Sequence, residues 1–263
     1  PEELLTADTS SGLRKSGSSN LPLRHSKVKV LQVDKDSLNS RFEPIPESQS
    51  TGIFMVDDDV RVACPSLTRG FLAWKARPES MAGYYPRIAS PPRADPTSTT
   101  ELVYHTWPHV YVRHKFNFIL TKASFLHSKY MELYTSSALP QEIKDYVDQH
   151  MNCEDVAMSL LVANYTASMN GKGVPAPPVY VEGKVQDLGL FNGISTGSGH
   201  MMTRSKCLTD LSRILRDDHG WAVPLNRPVP LRKYSWLQHR PGFWFQYRPS
   251  NFFEWFSFAN SFT

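Results

Sequence analysis

Cysteine is scarce in this 263-residue chain, which has three: Cys64, Cys153 and Cys207. So few exclude a small scaffold stapled by many disulfides. No stretch reaches the ~18 apolar residues of a membrane-spanning helix. Blocks of like charge are missing too. The 29 Lys and Arg against 25 Asp and Glu give a net charge of +4, and the basic residues are scattered. Nucleic acid, which is held by clustered Lys and Arg, is therefore not an expected partner. No internal repeat or secretory leader is visible, and the chain starts at Pro1 rather than Met. Either an N-terminal segment has been removed or this is an excised piece of a longer protein.

What is present suits one α/β domain with extensions: the length, and a 40% hydrophobic content sufficient for a core. The mild positive excess fits a small anionic ligand such as a nucleotide diphosphate. Residues 1–26 are Ser-rich, basic and poor in apolar side chains, and read as a flexible loop. Residues 27–235 hold the folded domain. Lys27 to Val33 alternates as a half-buried strand does. A turn with helical character follows from Asp36 to Phe42. Gly52 to Val56 (GIFMV) is a short apolar run, expected as a strand buried on both faces of a mostly parallel sheet. Beyond it, Leu67, Phe71 and Trp74 mark a helix that Pro78 stops. Tyr111 to Leu120 is expected to be strand-like and Lys129 to Tyr134 helical. Asn152 can cap a helix from Cys153 to Ala163. Gly171 to Pro178 breaks the chain before a short strand at Val179 to Val181. Leu208, Leu211, Ile214 and Leu215 share the face of a helix ending at Gly220. Residues 236–263 are dense in aromatics, without a period, and form a tail of unknown role.

Three places carry chemistry. Asp57, Asp58 and Asp59 follow an apolar strand directly, where ligands bind in α/β sheets. Clustered carboxylates repel unless a cation joins them, and a hard divalent ion takes oxygen ligands and bridges to phosphate. A solvated acidic turn is the plain alternative. Asp155 opens a helix, where a carboxylate is favoured by the dipole, so capping alone accounts for it and facing a substrate is the other reading. His200 and Arg204 stand four apart and share a helical face, as ligand and phosphate partner or as two solvated residues. Cys153 and Cys207 flank these clusters, and a bond between them would draw Asp155 and Arg204 together. Two buried free thiols remain the alternative. Asn164-Tyr165-Thr166 is a glycosylation acceptor pattern.

Six segments occur in order: SLNSRF, FMVDDDVRV, GYYPR, ILTKASFLHSKYMELY, NCEDVAMSLLVAN and H-x-x-x-R-S-x-C. Together they resemble the exostosin-type glycosyltransferases of family 64, over about residues 27–235. The resemblance implies a GT-A-type nucleotide-diphospho-sugar transferase fold, here expected to lack its first strands. It implies transfer of a sugar of N-acetylhexosamine or mannose type from a UDP- or GDP-sugar, with retention, to a glycan or glycolipid. It implies a divalent cofactor, Mn2+, held by Asp59, with Asp57, Asp58, Asn39, Arg41, Arg87 and His200 near the donor. Asp155 and Arg204 take the catalytic places, and Cys153 pairs with Cys207. The compartment implied is the lumen of the Golgi or endoplasmic reticulum, with membrane attachment of the whole protein. A truncated, non-catalytic relative that partners an active transferase is the alternative. Lys122 departs from the pattern by standing where a small residue is expected.

Overall fold

The computed structural model describes residues 30–45, 48–98, 100–188, 200–221, 225 and 228–231. The Ser-rich start and the aromatic tail lie outside the described residues. So do Lys27 to Lys29, and the contacts divide the chain after Asp36. On the N-terminal side of that division, residues 30–36 are exposed and form no strand, so the described part of KVKVLQV does not bear out the strand expectation. Alternation makes a strand only where an edge and a core are offered, and Val30 is 74% exposed.

After Asp36 the order is a 3-10 turn at Leu38–Phe42, β1 Gly52–Val56, β2 Val60–Val62, α1 Cys64–Lys75, β3 Ala82–Gly83, β4 Pro86–Ser90, β5 Val103–His105, α2 Trp107–Arg113, β6 Lys115–Phe116, β7 Phe118–Ile119, β8 Ala123–His127, α3 Lys129–Thr135, α4 Gln141–His150, α5 Glu154–Met169, β9 Val179–Tyr180, β10 Val185–Asp187, α6 His200–Arg213 and β11 Val229–Pro230. The class is mixed α/β, built on several small sheets. A four-stranded sheet runs β1-β8-β3-β9, a three-stranded one β5-β4-β7, and two pairs are β10-β2 and β11-β6.

The β1 expectation needs one correction. The strand is there, but it pairs antiparallel with β8, from Gly52 opposite His127 to Val56 opposite Ala123. Only Ile53 and Met55 are buried, and Val56 is exposed. A strand with one wet face alternates, and the apolar residue at its exposed end hid that period. Neighbouring β3 is squeezed between β8 and β9. A Cβ on Gly83 would come within 2.6 Å of the Ala123 carbonyl, so only glycine admits that approach.

The second correction concerns Tyr111 to Leu120. Trp107–Arg113 is the helix α2, with Pro108 in its first turn, and His114 ends it in the left-handed region at φ 49°. Only then do the two-residue strands β6 and β7 follow. Proline in the first turn and the burial of Val110 outweigh the strand preference of Tyr and Val.

The core surrounds α5. Val156 to Ala163 is buried without interruption, as in a helix covered on all sides. This helix extends to Met169, six residues past the expected end, because Thr166 and Ala167 are buried as well. α6 runs on through a π turn at Ile214–Asp218 and stops before Gly220, which takes φ 68°. Cys153 and Cys207 are joined by a disulfide that ties α5 to α6, with Cα atoms 6.2 Å apart. Cys64 is a free, exposed thiol.

The disulfide closes a loop across 54 positions. By chain entropy such a bridge stabilises by about 4 kcal/mol. Cys153→Ala/Cys207→Ala should therefore unfold at clearly lower denaturant, and thiol titration of the unfolded, unreduced chain should find Cys64 alone. Three titratable thiols would contradict the pairing.

Candidate functional site

Two neighbouring acids open α5. Glu154 and Asp155 occupy its first turn, where unpaired N–H groups and the dipole favour carboxylates. The Val156 N–H donates to Asp155 Oδ1 at 2.7 Å. That is not enough for a carboxylate with only 5% of its side chain exposed, because a buried ion costs several kcal/mol unless it is paired. The partner is Arg204, whose Nη1 donates to the same Oδ1.

α6 brings Arg204 there for a local reason. Ser205 and Thr209 stand four apart on α6, and their hydroxyls accept the N–H groups of Tyr104 and Leu102 at 3.1 and 3.0 Å. The helix is thereby docked on the edge of β5. The Arg204 guanidinium lies 5.8 Å from the Tyr104 ring centre. Its Nε is buried and has no hydrogen-bond partner among the described residues.

Arg41 joins the second acid to the aspartate loop. It meets Glu154 Oε1 at 3.1 Å and Asp57 Oδ1 at 2.5 Å. The 3-10 turn that carries it is fixed by Asn39. The Asn39 amide donates to Asp148 Oδ1 at 2.7 Å and to the Lys144 carbonyl at 3.0 Å, and its oxygen accepts the Tyr134 hydroxyl at 2.6 Å. Asn39 thus anchors the turn from which Arg41 reaches Glu154 and Asp57.

Asp57 is placed by the sheet, since its N–H donates to the Lys122 carbonyl at 2.9 Å, one step beyond the β1–β8 register. Asp58 is exposed. Asp59 lies beside Lys122, whose Nζ is 3.2 Å from Asp59 Oδ2 and 3.1 Å from Asp187 Oδ1. Arg87 on β4 donates from Nε to the Tyr104 hydroxyl at 2.9 Å. His200 opens α6, but its side chain lies outside the described residues. Asn164 sits half-buried within α5, not in the surface loop usual for a glycan acceptor.

Charge follows this geometry. Burial pushes the Asp155 carboxyl up, yet Arg204, the Val156 N–H and Arg41 outweigh it and hold the group below the usual carboxylate range. Glu154 moves the other way, raised by burial and by the charge of Asp155 against the pull of Arg204 and Arg41. Burial also raises Asp57 against Arg41, and Asp187 against Lys122. The two acids of α5 are therefore unequal: Asp155 is the fixed charge.

A divalent ion would need an open carboxylate oxygen. Asp59 Oδ1 is buried without a hydrogen-bond partner. No three His, Cys, Asp or Glu converge into a cage among the described residues. One orphaned carboxylate oxygen fits a hard ion whose other ligands are phosphate and water, the habit of Mg2+-like cations. A groove of about 630 Å3 lined by Arg69, Arg77, Tyr180 and Glu182 contains none of these groups.

Comparison with known proteins decides the lineage. The pattern of the glycosyl transferase family 64 domain matches residues 9–219. The chain belongs to glycosyl transferase family 64. It is 34% identical over 174 residues to glycosylinositol phosphorylceramide mannosyl transferase 1 of Arabidopsis thaliana, covering 66% of this chain and 49% of that protein. To exostosin-2 of Homo sapiens it is 30% identical over 196 residues, covering 71% and 24%. To glucosamine inositolphosphorylceramide transferase 1 of Arabidopsis thaliana it is 31% identical over 215 residues, covering 80% and 26%. The chain thus spans half or less of the length of these relatives.

Every site residue of this family 64 chain falls inside the matched span. No helix among the described residues is long and apolar enough to cross a membrane. Sequence reading missed Asp187 and passed over Glu154 as a site residue. Asp187 had one faint signal, an acid closing the short alternation Val185-Gln186-Asp187. The Asp155–Arg204 pair makes a quantitative claim. Arg204→Met should cost about 3–5 kcal/mol by stranding a buried carboxylate, and Arg204→Met/Asp155→Leu should recover most of it. Denaturant midpoints that fall further in the double variant would contradict the pairing.

Proposed function

We propose that this chain transfers a hexosyl group from a nucleotide-diphosphate sugar to a hydroxyl of a glycan or glycolipid, with retention and with a divalent ion, Mn2+, at Asp59. One observation carries the reading: an ionised, buried Asp155 clamped to Arg204 lies at one end of a chain of charges that reaches the aspartate loop through Glu154 and Arg41. The relatives' names supply the donor classes, a mannosyl transferase and a glucosamine transferase acting on inositol phosphorylceramides. GDP-mannose and UDP-N-acetylhexosamine are the donors to try first.

The breaking bond joins the anomeric carbon to the donor's diphosphate. Its electron pair leaves with the phosphate oxygen, and the sugar becomes oxocarbenium-like. The ion, when bound, neutralises charge on the departing diphosphate. Arg204 adds to this from its uncommitted Nε, a donor already dehydrated and therefore strong. Asp155 stabilises the positive sugar. Its hydrogen bonds from Arg204 and Val156 both fall on Oδ1, and a carboxyl held below its usual range is a poor nucleophile. That favours attack by the acceptor hydroxyl on the face the diphosphate leaves, with the acceptor proton passing to a leaving-group oxygen. Arg41 holds the aspartate loop against α5, so donor and ion sites keep their spacing.

A Cys153–Cys207 bridge suits an oxidising lumen, Golgi or endoplasmic reticulum, which is the compartment we assign. Asp59→Asn should lower transfer by about 10²-fold or more while moving stability by less than about 1 kcal/mol. Transfer assays with both donors, with and without chelator, measure this. Full turnover in Asp59→Asn would remove the ion from the account. Failure of wild-type protein to bind either nucleotide would favour a non-catalytic relative.

A further inference from the structure

Lys122 is a cation beside the aspartate loop that the proposed reaction leaves without a task. Its ammonium lies between two carboxylates, 3.2 Å from Asp59 Oδ2 and 3.1 Å from Asp187 Oδ1. Asp187 has only 6% of its side chain exposed, Lys122 17% and Asp59 30%. The backbone that carries them is tied in three places. Lys122 C=O accepts from Asp57, Leu188 N–H donates to the Asp59 carbonyl at 2.8 Å, and Asp187 stands opposite Val60 in the β10–β2 pair. Asp187 closes β10 and Asp59 stands in the turn that leads into β2, both on short side chains, whereas the lysine swings on a flexible stem. The arrangement is also incompletely satisfied. Asp59 Oδ1 and Asp187 Oδ1 are both buried without an aligned hydrogen bond, so the contact to Asp187 is an ion pair rather than a formed hydrogen bond. Two carboxylates held together need a cation, and the one they have is the most easily replaced of the three groups.

We propose that Lys122 is a tethered placeholder for the divalent ion. It neutralises Asp59 and Asp187 in the empty site, and it must be displaced from between them before an ion can bind there. The inference rests on the reading that Asp59 holds an ion. An ammonium and a divalent ion cannot share so small a space, because like charges a few ångströms apart repel strongly at low dielectric. The displaced ammonium needs an anion, and a nucleotide diphosphate supplies one. Ion and donor therefore load together, and the ion alone binds weakly. Lys122 is a positioning residue, and Asp187 is the second carboxylate that sets its place.

The test measures Mn2+ binding to the full chain by the loss of the free-ion electron paramagnetic resonance signal, with and without GDP or UDP. Without nucleotide, Lys122→Met should bind Mn2+ at least about tenfold more tightly than wild type, while Lys122→Arg, which keeps the charge, should remain like wild type. Equal affinity of wild type and Lys122→Met would overturn the placeholder and leave Asp59 as a metal site. No Mn2+ binding by any form, even with nucleotide, would remove the Asp59 site and the proposal with it. A second measurement needs no variant: the acetylation rate of Lys122, read by mass spectrometry in wild-type protein. It should rise when Mn2+ alone is added at saturation and fall again when nucleotide follows. A rate unmoved by Mn2+ that binds would overturn the proposal.

Discussion

A buried carboxylate kept ionised by a buried arginine is the interaction on which the rest of this structure depends. Asp155 has little access to the bulk water that would keep it charged, so its state is decided mainly by Arg204 and by the N-terminal turn of α5. Neither partner is cheap to bury. The core helix α5, the disulfide at Cys153 and Cys207, and the hydroxyls of Ser205 and Thr209 on the edge of β5 all serve to hold the two charges at contact distance. An anionic acid, and an arginine whose Nε has no hydrogen-bond partner among the described residues, are what the proposed reaction would require as it separates positive sugar from negative diphosphate.

Charges of alternating sign link that pair to the end of the sheet. Arg41 spans Glu154 and Asp57, and Lys122 spans Asp59 and Asp187. The β1–β8 pairing puts Lys122 beside the aspartate loop, and the β2–β10 pairing brings Asp187 to it. Short antiparallel strands are thus used to bring together side chains far apart in sequence, and the network belongs to the fold rather than to any one motif. It also explains why adjacent acids differ. Burial and the charge of Asp155 raise the proton affinity of Glu154 against the pull of Arg204 and Arg41, whereas at Asp155 the pairing with Arg204 outweighs burial.

The parts of this site that lie within one element were legible in the sequence. GIFMV ends in three aspartates, NCEDVAMSLLVA opens a helix with acids, and the leucines of α6 share a face. All three rest on local periods and end signals. The bond between Cys153 and Cys207 could be read only through family resemblance, because two thiols without coordinates pair as readily as they stay free. Asp187 was out of reach, since its importance comes from standing opposite Val60, more than a hundred residues earlier. The same limit explains β1. Its apolar run reads as a strand buried on both faces, and only the partner strand shows that Val56 faces water. The strand expected over Tyr111 to Leu120 failed differently: its first residues belong to the helix Trp107–Arg113, which has Pro108 in its first turn and Val110 in the core, and only the rest forms short strands.

The central claim is that Asp155 stays charged while its neighbour Glu154 is the easier of the two to protonate. Side-chain carboxyl 13C NMR, assigned through Asp155→Asn and Glu154→Gln, reads the two groups separately. Between about pH 8 and about pH 4, a range that ends near the ordinary carboxylate values, the Glu154 signal should shift and the Asp155 signal should stay still. An Asp155 resonance that titrates in that window, with Glu154 unmoved, would contradict the account.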